Sequence, residues 1–224
     1  MMIDINYILI VLGVILISMT LHEAMHGFVA YYLGDDTAKA EGRLTLNPIR
    51  HIDPFLTIIL PLSLALVGAP IFGGAKPVPF NPSMVRHGEW GVALVALAGP
   101  LTNFLIAFVS FGILAVIERS SAYGLVHAFG ISTTISDIGT ILVISVFVNL
   151  GFFIFNMLPI PPLDGSRFMY ALAPEFVRRG MEAIERFGVI VIFMLVLVAS
   201  PLIGGMMNAF MSSIFRLFGL IFGL

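Results

Sequence analysis

The sequence predicts an all-α polytopic membrane protein: a core of transmembrane helices with one short re-entrant extended or β element among them. Three observations carry this. Of the 224 residues, 59% are hydrophobic and 11% are charged, and the mean hydropathy is +1.06; a soluble domain carries roughly a quarter charged residues. Apolar stretches of about 20 residues, enough to cross ~30 Å of hydrocarbon, recur along the chain and leave little for a soluble domain. One Gly- and Pro-rich segment interrupts them. The net charge of −2, with no basic run interleaved with aromatics, excludes a nucleic-acid partner. Without cysteine, any metal must be held by His and carboxylate.

The first apolar stretch covers residues 5–33. It lacks a basic leader and a small-residue cleavage site, so it reads as a retained helix, stopped by Gly34-Asp35-Asp36. A polar stretch with Lys39, Arg43 and Arg50 leads to an apolar run at 55–71, barely of spanning length and containing Pro61. Residues 72–82, FGGAKPVPFNP, are too rich in Gly and Pro for a helix, and their Val/Phe alternation predicts extended chain. Two further spans follow at 90–117 and 138–158, joined by a polar loop at 118–137. Beyond PIPPLDGSR, an amphipathic stretch with Glu175, Arg178, Arg179, Glu182, Glu185 and Arg186 is expected at the membrane surface. The last apolar region, 187–224, exceeds one span, and Pro201 with Gly204-Gly205 predicts a break into two shorter helices. The whole reads as a single integral-membrane domain over 1–224, with a motif-bearing core at 5–167 and accessory helices at 168–224.

Lys and Arg are enriched in cytoplasmic loops. If the 55–71 run dips in and returns, Lys39, Arg43, Arg50, Lys76, Arg86 and the Arg167 to Arg186 group share one side, with Arg119 opposite. That arrangement puts the N-terminus outside and makes 55–82 re-entrant. Non-helical backbone at membrane depth needs protein or a water-filled cavity around it, so a cavity is implied.

The sharpest local signal is HEAMH at 22–26. In H-E-x-x-H, two His at i and i+4 share a helix face and reach one zinc ion, while the Glu between them can take a proton from water. Ionisable groups inside a membrane are expensive and usually functional; the structural alternative is a His/Glu cluster bonding between helices. Catalytic zinc takes three protein ligands and keeps an open position. Asp4, Asp35, Asp36 and Glu41 read as solvated charges at helix ends and loops. Asp164, in NMLPIPPLDGSR, follows three prolines that fix an extended path and precedes a glycine that allows a tight turn. It is either the cap of the next helix or the third ligand; beside an intramembrane H-E-x-x-H, the ligand reading is preferred.

HEAMH in the first span, AGPLTN at 98–103 and NMLPIPPLDGSR at 156–167 together resemble the site-2 protease family of intramembrane metalloproteases. Both family patterns, H-E-x-x-H and N-x-x-P-x-x-P-L-D-G, are matched at every specified position, and the likeness extends through GRLTLNPIRHIDP and AKPVPFNP. The resemblance implies hydrolysis of transmembrane or membrane-associated protein substrates within the bilayer. It implies one Zn²⁺ held by His22, His26 and Asp164, with Glu23 activating water. Asn156 matches the family's asparagine near the active site, where its amide would bind substrate backbone or the oxyanion; the alternative is interhelical hydrogen bonding. Asn103 reads as a packing and hydrogen-bonding residue outside the catalytic set, with Gly99 permitting close helix approach. The expected setting is the cell membrane, with the active site toward the cytoplasm.

An extended edge at Gly74, Ala75, Lys76, Val78 and Phe80 is a candidate to hold unwound substrate by strand addition; the alternative is a hairpin that plugs the cavity. Pro77 and Pro79 remove donors from one side of that edge. His51 reads as a surface or locally bonded residue and His87 as solvated. The competing function is a metal-binding transporter or sensor without proteolysis. The spans between 90 and 158 offer few charges for a transport relay, and metal binding alone gives no reason for Glu23. No stretch is long or polar enough for an inserted regulatory domain, so a minimal core is expected.

Overall fold

The computed structural model describes residues 5–66, 74–122, 132–188, 190–192, 194 and 200–223. Its helices are α1 (Ile5–Tyr32), α2 (Thr37–Ala40), a 3-10 turn at Pro48–His51, a π-helical turn at Pro54–Ile59 continuing into α3 (Leu60–Leu66), α4 (Gly88–Ala122), α5 (Ser132–Asn156), α6 (Gly165–Leu172), α7 (Glu175–Glu185) and α8 (Ser200–Phe222). Four of these are long and apolar enough to cross a membrane: α1, α4, α5 and α8. The chain is therefore an all-helical integral membrane protein.

α1 is apolar around its whole circumference, so nothing in its pattern fixes which face is inward. Its end is well determined. Gly34, at φ +107°, donates to the Tyr31 carbonyl and Asp35 N–H to that of Ala30, the pairing that closes a helix on a left-handed glycine. Arg86 then caps the orphan carbonyls of Tyr32 and Leu33 through its guanidinium and its own N–H. α1, α4 and α5 pack against one another and form the core of the molecule. Val11, Val14, Ile15 and Met19 of α1 meet Ile144 and Phe152 of α5, with Ala75 against them. Ala30 and Leu33 meet Val92 and Val95 of α4. α8 joins through phenylalanines, Phe218 lying fully buried among Phe104, Phe108 and Phe111.

Three expectations need correction. Residues 74–81 are non-helical, but no strand forms among the described residues. Pro77 and Pro79 donate nothing, and three further N–H groups are taken by partners outside the segment: Gly74 by the Leu56 carbonyl at 3.0 Å, Lys76 by that of His51 at 2.8 Å, and Val78 by the Glu23 carboxylate at 2.9 Å. Second, α8 begins at Ser200 with Pro201 in its first turn, but Gly204 and Gly205 lie inside it, so only the glycines' share in the expected break needs correction; a glycine weakens an exposed helix by only about 1 kcal/mol. Third, Asp35 is not a solvated charge but 1% exposed. It accepts from Thr37 N–H and hydroxyl and, at 2.6 Å, from Asn81 N–H, so it ties the end of the 74–81 segment to the end of α1. Burial acts to raise its pKa, but these donors outweigh it and hold the carboxyl below its usual value. Residues 67–71 of the apolar run, Phe72, Gly73, and 123–131 of the 118–137 loop lie outside the described residues.

The amphipathic stretch is α6 followed by α7, and α7 buries no residue. Arg167 pairs with Glu185, and Tyr170 donates to Glu182 at 2.6 Å, which pushes the phenol up to about 12.

Candidate metal centre

Helical spacing puts the His22 and His26 imidazoles one turn apart on the inner face of α1, 3% and 8% exposed. Their Nε2 atoms are 3.0 Å from each other. Asp164 Oδ2 stands 3.2 Å from His22 Nε2 and 3.5 Å from His26 Nε2. Asp164 sits at the start of α6, yet its side chain makes no capping hydrogen bond. The carboxylate points to the histidines instead.

The outer nitrogens decide what the inner ones offer. His26 Nδ1 is 2.7 Å from the Val95 carbonyl oxygen, so it carries the proton and donates. His22 Nδ1 is 2.6 Å from Asn103 Oδ1. Asn103 donates its amide to Asn149 Oδ1 at 2.8 Å, and Asn149 donates to the Ser145 carbonyl at 2.8 Å and the Ser18 hydroxyl at 2.9 Å. A backbone carbonyl only accepts, so the chain has one direction, and His22 Nδ1 is the donor to Asn103. In the neutral imidazoles both Nε2 atoms therefore present lone pairs to a carboxylate oxygen. Two lone pairs and an anion within 4.8 Å of one another, mostly buried, repel unless a cation lies among them. Ligands at about 2.0–2.2 Å around a tetrahedral zinc stand roughly 3.3 Å apart, close to the spacings of 3.0, 3.2 and 3.5 Å. A carbonyl acceptor on the far nitrogen of each His is the usual support of metal-bound imidazole.

Gly99 of α4 faces the same point. A Cβ there would lie 2.4 Å from His26 Nε2 and 2.6 Å from His22 Nε2. Gly165 is equally constrained, since a Cβ would meet the Met157 carbonyl at 2.4 Å; only glycine lets the chain after Asp164 turn back against the end of α5.

The profile of Peptidase family M50 matches residues 9–199. The chain belongs to Peptidase family M50. Among this M50 chain's relatives is one named "Putative zinc metalloprotease YwhC" from Bacillus subtilis, 42% identical over 212 residues, or 93% of this chain and 90% of that one. "Putative zinc metalloprotease Rip2" of Mycolicibacterium smegmatis is 31% identical over 193 residues, 85% of this chain and 67% of its own. The Rip2 of Mycobacterium tuberculosis strain H37Rv is 29% identical over 191 residues, 85% of this chain and 66% of its own. No solved structure gives a significant match.

Within this M50 chain the predicted residues divide into two sets. His22, His26 and Asp164 converge, with Glu23 between the histidines in sequence and its carboxylate on the Val78 N–H. Gly74, Ala75, Lys76, Val78 and Phe80 run beside α1, where Gly27 makes room for Val78: a Cβ at 27 would lie 3.0 Å from its methyl. Asn156 stands apart. Its amide donates to the Phe152 carbonyl one turn back at 3.0 Å, and among the described residues it makes no hydrogen bond to the triad. His51 is fully buried, bonded locally to the Thr45 carbonyl; His87 is exposed. Sequence reasoning missed Asn149; it read Asn103 as hydrogen-bonding and Gly99 as a point of close helix approach, but not that His22 and His26 are what they meet. An asparagine in the middle of an apolar span is itself a signal, and Asn149 carried it.

Proposed function

We propose that this M50 chain is an intramembrane zinc endopeptidase in which His22, His26 and Asp164 are the metal ligands and Glu23 the general base. The observation that carries the proposal is the convergence of two Nε2 lone pairs and one carboxylate, with both histidine tautomers set by carbonyl acceptors. The relatives' names as zinc metalloproteases support zinc as the ion. When bound, zinc supplies Lewis acidity to the scissile carbonyl and acidifies water. Glu23 takes the proton of the attacking water and returns it to the leaving amine. Asn156 keeps one amide N–H beyond its bond to Phe152, free to meet a substrate carbonyl.

The substrate is a transmembrane or membrane-associated protein, unwound at the site, since a helical peptide bond is enclosed by its neighbours. The segment bearing Gly74, Ala75, Lys76, Val78 and Phe80 is the edge that receives it. The run from Phe55 dips into the bilayer and returns: Gly74 N–H meets the Leu56 carbonyl at 3.0 Å, and the Thr57 hydroxyl meets the Gly74 carbonyl at 2.7 Å, so the two limbs are adjacent at one level. This leaves the basic residues other than Arg119 and Arg216 on the cytoplasmic side and the active site toward it, in the cell membrane. Residues 1–224 act as one protease domain.

The test is cleavage of a model transmembrane substrate together with metal content, on protein purified in detergent. Glu23→Gln retains zinc and loses cleavage, general acid–base catalysis being worth about 10²–10⁴; wild-type turnover by that variant refutes the mechanism. Asp164→Asn loses zinc, and unchanged metal content removes Asp164 from the ligand set.

A further inference from the structure

A second polar site lies on the other side of the 74–81 segment. A half-open cavity of about 520 Å³ is lined by Arg43, Arg50 and Lys76, with Glu41, Ile49 and Pro77 among the rest. Three cations against one carboxylate give it a positive field. Among the described residues, no acidic group pairs with any of the three cations.

Arg43 is the unusual member. It is 8% exposed, its terminal nitrogen donates to the Lys76 and Pro77 carbonyls at 2.8 and 3.2 Å, and its Nε has no partner at all. A buried guanidinium N–H without an acceptor costs about 1–3 kcal/mol. The surroundings of the cavity are just as unusual for a soluble-protein surface. Ile49, on its wall, is 75% exposed, and close by in sequence Leu46, Phe55, Ile58 and Ile59 are each about half exposed. Cations inside and bare aliphatic and aromatic side chains outside are the pattern of a surface seated at the boundary between headgroups and acyl chains.

We infer that this cavity is a phosphate-binding site, filled by the phosphodiester headgroup of an anionic lipid. Arg50 and Lys76 meet the phosphate oxygens at the mouth, Arg43 supplies the buried charge beneath, and Ile49 and its neighbours lie along the acyl chains. The site bears on the metal centre through the backbone. Arg43 holds the carbonyls of residues 76 and 77, and the next N–H, that of Val78, is the one on Glu23. An occupied cavity fixes the segment against which the base rests.

The test uses the full chain in neutral detergent micelles, titrated with phosphatidylglycerol, with phosphatidylcholine, or with inorganic phosphate. The readouts are lipid adducts by native mass spectrometry and the thermal midpoint, neither of which needs activity. The expected result is that phosphatidylglycerol binds and raises the midpoint while phosphatidylcholine does not. Arg50→Gln weakens that binding about tenfold, the worth of one charge-assisted contact, and the exposed Arg179→Gln leaves it unchanged. Stabilisation by inorganic phosphate alone, lost in Arg50→Gln, keeps the phosphate site and reassigns its source to a free anion. Equal binding of both lipids, or equal behaviour of Arg50→Gln and Arg179→Gln, overturns the proposal. Arg50 is exposed at the rim, so its replacement leaves the fold intact.

Discussion

α1 and α8 are both apolar helices of spanning length, but they are held in different ways. In the spanning window of α1 44% of residues are buried, against 6% for α8. α1 is fixed by directional contacts: His22 to Asn103, His26 to the Val95 carbonyl, Ser18 to Asn149, Glu23 to Val78. α8 is fixed by ring against ring, Phe218 and Phe222 on Phe104, Phe108 and Phe111. In lipid, helices gain little by hiding apolar surface from equally apolar tails, so packing and polar bonds decide which faces meet. Polar bonds specify rotation and register to a fraction of an ångström. Aromatic packing tolerates slippage. A metal site belongs on the first kind of helix and an accessory span on the second.

The comparison breaks most readily at Gly99. Gly99→Ala puts a methyl where both Nε2 atoms converge, so zinc content and cleavage both fall to background while the helical circular dichroism stays; retained zinc would show that α4 does not wall the site. On the other helix, Phe218→Ala should cost about 3 kcal/mol of stability, the lower end for a fully buried ring because lipid solvates what is unpacked. Its metal affinity should equal wild type, and a shift in that affinity would mean α8 shapes the site. Asn103→Leu keeps the volume and removes the acceptor that orients His22. The expected loss is about 10–100-fold in metal affinity, with Asn149→Leu smaller because it acts through Asn103; wild-type affinity in Asn103→Leu would show that the relay is packing alone.

The smallest expected effect is on acid stability. Asp35 is held below its ordinary value of 3.8 in the folded state. Its contribution is therefore complete above that value and is lost as pH falls through the lower, folded one. Thermal midpoints measured in detergent from about pH 6 to 3 should fall more steeply for wild type than for Asp35→Asn. Parallel curves would show that the tie from Asp35 to Asn81 contributes nothing.

How much of this was legible beforehand follows from the range of each contact. HEAMH was readable because i, i+4 spacing is a local fact of helix geometry, and Asp164 because prolines and a glycine bracket it. The spans were readable from composition. What lay beyond reach were long-range partners of helices whose periodicity is silent. α1 is apolar on every side, so nothing in its own sequence says that His22 meets position 103 or that Asn103 meets 149. Asp35 looked like a solvated helix-end charge because, apart from the Thr37 hydroxyl, its partners at 37 and 81 are backbone groups, present in any sequence. The 72–82 segment was read as non-helical for sound reasons and as a strand for a weak one. Alternation predicts a strand only where a neighbour exists to pair with.

Glu23 and Val78 impose an order of events. An N–H has one proton to give, and that of Val78 is given to the carboxylate assigned as the base. A peptide lying along residues 74–80 cannot accept from Val78 without taking that proton from Glu23. While the contact stands, one oxygen of the carboxylate accepts from the backbone; once a peptide takes that N–H, the oxygen is released. Under the roles proposed for Glu23 and the 74–80 edge, arrival of a peptide and release of that carboxylate oxygen are one exchange of a hydrogen bond.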